Sequence, residues 1–355
     1  NWLNFRDMKN DALNFPATRR EFLSTSAKGA GLLAFSQFVP GFLRDSIAAG
    51  APSPESDRRI LVLVQLAGGN DGLNTVIPYE DANYYRLRPT LGIKKSAALK
   101  LTDDHGLHPS CESMLELYKE GNLSIIQNVG YPNPNRSHFR STEIWEGATD
   151  AHEFGDSGWV GRYLDNNCSG TPGLGDPEAI SFGNELPLTI QGDTNHNLFS
   201  INNRPGRINR ADYGLLDKMS GEMDVIDNSS FLKQTMMDTL VTEERIQKLF
   251  TKFSSTVNYP GNRLGTSLKN VASLIASNLP TRVYYVSLGG FDTHQGQAAN
   301  HARLLTELSS SLAAFQKDLQ QRGLDDQVLT MTFSEFGRRP SQNESGGTDH
   351  GTAAP

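Results

Sequence analysis

The segment ILVLVQL, residues 60–66, is rich in branched apolar residues and shows no alternation of polar and apolar positions. A strand of this kind is buried on both faces, which is typical of a parallel sheet that helices cover from both sides. The run stops at AGGND, so its carboxyl end carries Asn70 and Asp71. This one segment therefore predicts an α/β fold with polar residues at the strand ends.

Three more segments are predicted to be strands of the same sheet: residues 123–130, 281–290 and 326–333. Helices are predicted between them. One ends near Gly121, and a strongly periodic one, with an apolar face from Leu304 to Leu319, ends at Gly323. Strands that alternate with helices predict right-handed parallel crossovers, so the expected fold is a mostly parallel α/β sheet with helices on both faces.

The predicted strand ends carry acids and a histidine, namely Asp71, Asp292, His294 and Glu335. Ligands of open α/β sheets bind beyond the carboxyl ends of the strands, so we expect these side chains to share one site. Each has a simpler interpretation by itself: Asp71 as a turn residue, His294 as a hydrogen-bonded loop histidine, and Glu335 as a partner of Arg338. Their joint placement at one sheet edge favours a metal site.

The chain has 355 residues and a formal net charge of -7, without a basic cluster interleaved with aromatic residues. No nucleic-acid partner is therefore expected. Cys111 and Cys168 lie far apart and lack the spacing of metal ligands, and whether they form a disulfide stays open. Residues 148–280 are rich in Gly, Asn and Pro as far as residue 209 and then helical in pattern, so we predict a largely loop and helical insertion there.

The N-terminal region has the pattern of an export signal. Arg19 and Arg20 precede a weakly apolar run, residues 27–43, which Pro40 interrupts and which is shorter than the ~20 apolar residues of a spanning helix. The paired arginines resemble a twin-arginine signal, whose substrates cross the membrane folded. We therefore expect residues 1–58 to be signal and linker. An amphipathic surface helix is the alternative.

This resemblance implies the twin-arginine export machinery as a partner, no membrane span once the signal is removed, and a periplasmic, envelope or secreted location. Exchange of Arg19 and Arg20 for lysine is expected to retain the protein in the cytoplasm, because the export machinery reads the guanidinium pair. Cell fractionation measures this. Unchanged export of the double variant would contradict the assignment.

Several short motifs together carry a family resemblance. FDTH, an amphipathic helix, GLDD, VLTMTF and SEFG follow one another from residue 291 to residue 338, and AGGNDGLN, NPNRSHFRS and GTDHG lie outside that run. The run from residue 291 to residue 338, with ILVLVQLAGGND as a first strand that ends in an acid, resembles the alkaline phosphatase superfamily, which includes sulfatases and cofactor-independent phosphoglycerate mutases. Within it, the chain resembles a twin-arginine-exported, sulfatase-like bacterial family of unknown function. The resemblance covers most of residues 59–355 except the insertion, and implies an alkaline-phosphatase-like sheet.

The resemblance also implies metal ligands. Asp71 and Glu335 would hold one divalent ion, and Asp292, His294 and His350 would hold another, with His301 as a rival of His294. Phe336 stands where the superfamily has a ligand histidine, which is a clear departure. Asp349 would either replace that lost ligand or cap a turn together with His350. The implied cofactors are one or two ions of Zn, Mn, Mg or Ca.

The candidate nucleophile is Ser137 in NPNRSHFRS, directly before a predicted helix. The N-terminus of a helix favours an oxyanion, and a divalent ion would lower the pKa of the hydroxyl. His138 belongs to the same candidate set, and Arg136 or Arg140 could bind the oxygens of an anionic substrate. The alternative is that Ser137 is a helix N-cap. The Cys/Ser-x-Pro-x-Arg pattern that sulfatases mature to formylglycine is missing around it, which disfavours that chemistry.

The sequence thus predicts an exported, metal-dependent hydrolase of phosphate-type or related anionic esters, either small molecules or glycans. The alternative is a non-catalytic envelope protein that keeps the fold and binds a glycan or a protein partner. A sheet of this type usually continues beyond the last motif, so we expect the native chain to extend past Pro355.

Overall fold

Along the chain the elements are β1 (Ile60–Ala67), α1 (Gly72–Thr75), β2 (Val76–Ile77), α2 (Ala82–Leu87), β3 (Leu99–Lys100), β4 (Gly106–Leu107), α3 (Glu112–Lys119), α4 (His138–Gly147), α5 (Trp159–Asn167), β5 (Ala179–Phe182), β6 (Leu198–Ser200), α6 (Arg263–Ala276), β7 (Val283–Gly289), α7 (Gln297–Arg322), β8 (Val328–Phe333), β9 (Gly337–Arg338) and β10 (His350–Gly351). They come from a computed structural model that describes residues 58–167, 176–201 and 242–353. The predicted export signal and Cys168 lie outside these ranges.

Five strands form the central sheet in the order β6-β5-β7-β1-β8, and every pair of neighbours is parallel. β1 lies between β7 and β8, with Val62 opposite both Tyr284 and Thr330. Because β7, β1 and β8 are adjacent and parallel, the loops that follow them emerge side by side at one edge. The predicted α/β class with a mostly parallel sheet is confirmed.

Helices cover both faces of this sheet. Val62 and Val64 of β1 pack with apolar residues of α6 and α7, whereas Leu63 points the other way and packs with Val160 and Leu164 of α5. Successive residues of a strand point to opposite faces, so an uninterrupted apolar run satisfies both. The predicted burial of β1 from two sides is confirmed.

α7 is the longest described helix. It ends at Gly323, whose left-handed backbone (φ 65°) accommodates the turn, as the sequence predicted. Its N-terminal end follows the loop that carries Asp292 and His294. The helix thereby fixes one side of the edge at which the candidate residues gather.

The strand predicted over residues 123–130 is wrong. These residues pair with no strand, and Ile126 and Val129 are exposed, although Leu123 and Ile125 pack partly against the core. Among the described strands, the open edges of the central sheet belong to β6 and β8, and the run pairs with neither. The region predicted as an insertion supplies β5 and β6 to the central sheet as well as helical segments.

Among the residues that the structure describes, no helix has the length and apolarity needed to cross a membrane. Cys111 is fully buried in the core near α3, and burial raises the pKa of its thiol to about 12.

Candidate metal centre at the strand ends

Two histidines and an aspartate converge at the carboxyl edge of the sheet. His138 is the first residue of α4, Asp292 follows β7, and His350 begins β10. One ligand atom of each lies within 4.8 Å of the others. His294 adds a further nitrogen, since its Nε2 lies 2.9 Å from Nε2 of His350 and 3.1 Å from Oδ1 of Asp292. The structure therefore brings together Asp292, His294 and His350, and places His138 with them.

Each of the three imidazoles has a hydrogen-bond acceptor at Nδ1. The pairs are His138 with Oε1 of Glu335 (2.7 Å), His294 with Oδ1 of Asp349 (3.2 Å) and His350 with the backbone carbonyl of Arg136 (2.8 Å). Carboxylates and carbonyls carry no proton, so Nδ1 is the donor in all three. A neutral imidazole then presents a lone pair at Nε2.

These three Nε2 atoms surround one carboxylate oxygen. Oδ1 of Asp292 lies 3.5 Å from His138, 3.1 Å from His294 and 3.2 Å from His350. A proton shared between His294 and His350 would relieve the contact of those two rings. That proton would not satisfy Nε2 of His138, which is buried and has no hydrogen-bond partner among the described residues. Lone pairs that converge on an anionic oxygen repel one another unless a cation lies between them.

Imidazole nitrogens and a carboxylate oxygen are the donors that Zn²⁺ and other transition ions prefer. Ligand histidines in such centres usually donate their second N–H to a carboxylate or a carbonyl, as all three do here. His138, Asp292 and His350 therefore fit one divalent transition ion, and His294 lies beside them, within 3.1 Å of two of the three.

Arg338 holds Asp292 in place. Its fully buried guanidinium donates to Oδ1 of Asp292 (2.8 Å) and to four backbone carbonyls, those of Gly68, Gly69, Phe291 and Thr348. Burial opposes ionisation of Asp292, but the hydrogen bond and the charge of Arg338 outweigh it and lower the pKa of Asp292 to about 2. Asp292 is thus a carboxylate at neutral pH, fixed between three loops.

Glu335 orients His138 instead of reaching the shared point. Its buried carboxylate accepts from Nδ1 of His138 and, through the same oxygen, from the backbone N–H of Gly68 (2.8 Å). It makes no ion pair with Arg338, whose carboxylate partner is Asp292. The ring centroid of Phe336, the next residue, lies 4.8 Å from that of His138 and 4.6 Å from that of His350.

Asp349 orients His294 in the same way. Its carboxylate accepts from Nδ1 of His294 and from the side-chain amide of Asn343 (3.2 Å), and these hydrogen bonds lower the pKa of Asp349. The surrounding GGTDHG stretch is closely packed: Thr348 is fully buried, and a Cβ on Gly347 would lie 2.2 Å from the carbonyl carbon of His294. Glycine is therefore needed here because two backbone segments touch.

The structure does not bring Asp71 into this cluster. Both of its oxygens accept from the guanidinium of Arg88, at 2.5 and 2.9 Å, and one also accepts from the side chain of Gln297. His301 is also elsewhere, because its Nε2 is paired with Oδ1 of Asn70 at 2.9 Å. Burial lowers the pKa of His301 to about 4, so it is a neutral core histidine.

Ser137 occupies the N-cap position of α4, but its side chain makes no capping hydrogen bond and is exposed. Both neighbours of Ser137 contact residues of the cluster. The carbonyl of Arg136 accepts from His350, and the ring of His138 donates to Glu335. The guanidinium of Arg136 is exposed. Arg140 is committed to its own loop, where it donates to Glu143 and to two backbone carbonyls, those of Ala151 and Glu153.

Sequence reasoning did not anticipate three contacts: that of His138 with Asp292 and His350, that of Arg338 with Asp292, and that of Arg88 with Asp71. His138 could have been suspected, since a histidine beside the candidate nucleophile is close to any ion that activates it. For Arg88 the sequence carried no signal, because the residue contacts Asp71 only through tertiary packing.

The model of a family described as a protein of unknown function (DUF1501) matches residues 274–354, the part that carries Asp292, His294 and His350. No curated protein matches the chain. Among solved structures, the chain is similar to the lipoteichoic acid synthase LtaP from Listeria monocytogenes, with 10% sequence identity and a TM-score of 0.27. That match covers 81% of this chain and 59% of the synthase, so the chain spans about three fifths of the length of that protein.

Proposed function

We propose that this protein is an exported, metal-dependent hydrolase of phosphate-type or related anionic esters. The observation that carries the proposal is the convergence of three imidazole nitrogens on the carboxylate of Asp292, each imidazole being oriented by an acceptor at Nδ1. When bound there, a divalent ion supplies positive charge that polarises an ester oxygen and stabilises the developing negative charge.

The donor set favours a transition ion over Mg²⁺ or Ca²⁺. Three of its four atoms are imidazole nitrogens, and Oδ1 of Asp292 already accepts a hydrogen bond from Arg338, which reduces its excess negative charge. Mg²⁺ and Ca²⁺ prefer sites made of oxygen ligands. Zn²⁺ is therefore the first ion to test.

The residues around Ser137 suit an anionic ester. Its hydroxyl is exposed at the start of α4, where the helix dipole favours negative charge, and the flanking guanidinium of Arg136 is free to contact non-bridging oxygens. In the proposed reaction the hydroxyl oxygen of Ser137 bonds to phosphorus while the bond from phosphorus to the ester oxygen breaks, and the serine proton leaves on the departing alcohol. Water then attacks phosphorus, the bond from phosphorus to the serine oxygen breaks, one proton of the water returns to that oxygen, and phosphate is released.

A non-catalytic envelope protein that binds a glycan or a protein partner is the second candidate. One observation favours it: Asp71, which the superfamily resemblance assigns to a metal, is sealed by Arg88. In that case the ion at the histidines would stabilise the loops around it and turn over no substrate.

Ser137→Ala is expected to abolish hydrolysis and to leave folding and metal content unchanged, because the lost hydroxyl is exposed and caps nothing. The measurement is turnover of aryl phosphates, phosphodiesters and aryl sulfates by protein stripped with a chelator and reloaded with Zn²⁺. Ser96→Ala, at an exposed serine remote in sequence, is the control.

Full activity of Ser137→Ala would exclude Ser137 as the nucleophile. A protein that retains its ion but hydrolyses no member of the panel would support the non-catalytic candidate instead.

A further inference from the structure

The buried pair of Asp71 and Arg88 lies directly after β1, at the position that the superfamily resemblance gives to a metal ligand. Both side chains have no exposed surface. The two oxygens of Asp71 face two nitrogens of the guanidinium in a bidentate pair, and Gln297 donates to one of them as well. Both oxygens of the carboxylate therefore already have hydrogen-bond donors.

All five N–H groups of Arg88 find a hydrogen-bond acceptor at this position. Besides the two that reach Asp71, its donors contact Oδ1 of Asn74 (2.8 Å) and the carbonyls of Arg339 (3.1 Å) and Pro340 (2.8 Å). A buried guanidinium with every donor satisfied is stable only where the fold provides each acceptor. The pocket is therefore shaped for a guanidinium and not for a spherical ion.

The other residue expected to hold this second ion is also engaged. Glu335 accepts from His138 and from the backbone N–H of Gly68, and its neighbour Phe336 presents a hydrocarbon ring in place of a ligand. An ion that bound at Asp71 would have to expel a buried arginine and leave three acceptors, on Asn74, Arg339 and Pro340, without their donor. That loss disfavours the exchange.

We propose that the guanidinium of Arg88 permanently replaces the second metal ion, so that the site holds a single exchangeable ion, at the histidines. This rests on the proposed function only for the ion at the histidines. The buried pair is also connected to the histidine loops, through Gln297. Gln297, which contacts Asp71, accepts from the hydroxyls of Thr293 (3.1 Å) and Thr348 (2.6 Å), and these lie on the two loops that carry the ligands.

The decisive variant is the neutral pair Asp71→Asn with Arg88→Met, which leaves no unpaired buried charge. Elemental analysis after dialysis is expected to find a single equivalent of metal in this variant, as in the wild type, because neither residue is a ligand. A wild type with two equivalents, or loss of an ion in the neutral pair, would overturn the replacement.

Arg88→Met alone strands the carboxylate of Asp71 and is expected to create a cation site. Its Tm should fall below that of the wild type and rise by at least ~3 °C in millimolar Ca²⁺ or Mn²⁺. The neutral pair and Arg86→Met, at an exposed arginine of α2, should show no such rise. A rise of the same size in the neutral pair would contradict the proposal.

Different results would overturn the ion at the histidines and the replacement of a second ion by Arg88. A wild type that retains no ion after dialysis and takes up none from Zn²⁺ would overturn the centre at the histidines. The Ca²⁺ response of Arg88→Met would still decide the role of Arg88. If Arg88→Met does not fold, the metal content of the neutral pair decides it.

Discussion

Asp292→Asn is expected to abolish metal binding, whereas Glu335→Gln is expected to retain the ion with an affinity about 10–100-fold lower. Among the described residues, the three imidazoles converge on a carboxylate oxygen only at Asp292, and an amide there would be a poor ligand. Glu335 touches no other member of the cluster than His138, so its loss misorients one ring and makes it less basic. Competition with a chromophoric Zn²⁺ chelator measures both.

Folding should survive in both variants. Asp292→Asn leaves the buried guanidinium of Arg338 without its carboxylate partner and should lower the Tm, but four backbone carbonyls still accept from that guanidinium. Glutamine keeps the shape and one acceptor of Glu335. Glu143→Gln is a matched control, because Glu143 lies on α4 with His138 but pairs with Arg140 at the surface. Its affinity should equal that of the wild type. Unchanged affinity in Asp292→Asn would show that the cluster is not the metal site, and unchanged affinity in Glu335→Gln would show that the carboxylate does not position His138.

Gly347→Ala is expected to destabilise the domain by about 1–3 kcal/mol or more and to weaken metal binding at the same time. An added Cβ would lie 2.2 Å from the carbonyl carbon of His294 and 2.5 Å from the carbonyl oxygen of Thr293. These are backbone atoms of the loop that carries two ligands, so they can yield only by moving that loop. Urea unfolding and Zn²⁺ titration report the two effects.

Gly289→Ala is the control for this prediction. Gly289 ends β7, only three residues before Asp292, yet a Cβ there would meet no atom within 4 Å. It should leave the midpoint of urea unfolding and the Zn²⁺ affinity close to the values of the wild type. If Gly347→Ala unfolds at the same urea concentration as Gly289→Ala, the contact between the two backbone segments is looser than the structure indicates.

Several residues around the candidate metal centre hold its side chains in place. Arg338 joins the loops after β1, β7 and β9 through contacts to Gly68, Asp292 and Thr348. Each imidazole has its own acceptor, and Phe336 packs against two of the rings. Ligands fixed in this way need little reorganisation when an ion binds, which favours affinity. The arrangement is consistent with either a catalytic or a structural ion, and turnover by the reloaded protein distinguishes them.

The fold could be read from the sequence where a pattern repeats over several residues. The branched apolar run of β1 predicted a strand buried on both faces, and the leucines of α7 with Gly323 predicted that helix and its end. Residues 123–130 show the limit of this reasoning. An apolar run becomes a strand only if the fold brings it against a partner edge, and sequence alone does not show that this run pairs with neither outer strand of the sheet, β6 or β8.

The sequence by itself determined that Asp292, His294 and His350 are candidates for one site, since strand ends of a parallel sheet meet at one edge and motif order marks them. Only the tertiary structure decided which polar side chains pair with which. Asp71 and Glu335 look like ligands in the sequence, but Arg88 binds the first and His138 the second. A buried carboxylate must find a partner, and whether that partner is an ion, a guanidinium or an imidazole depends on which groups the fold brings within about 3 Å.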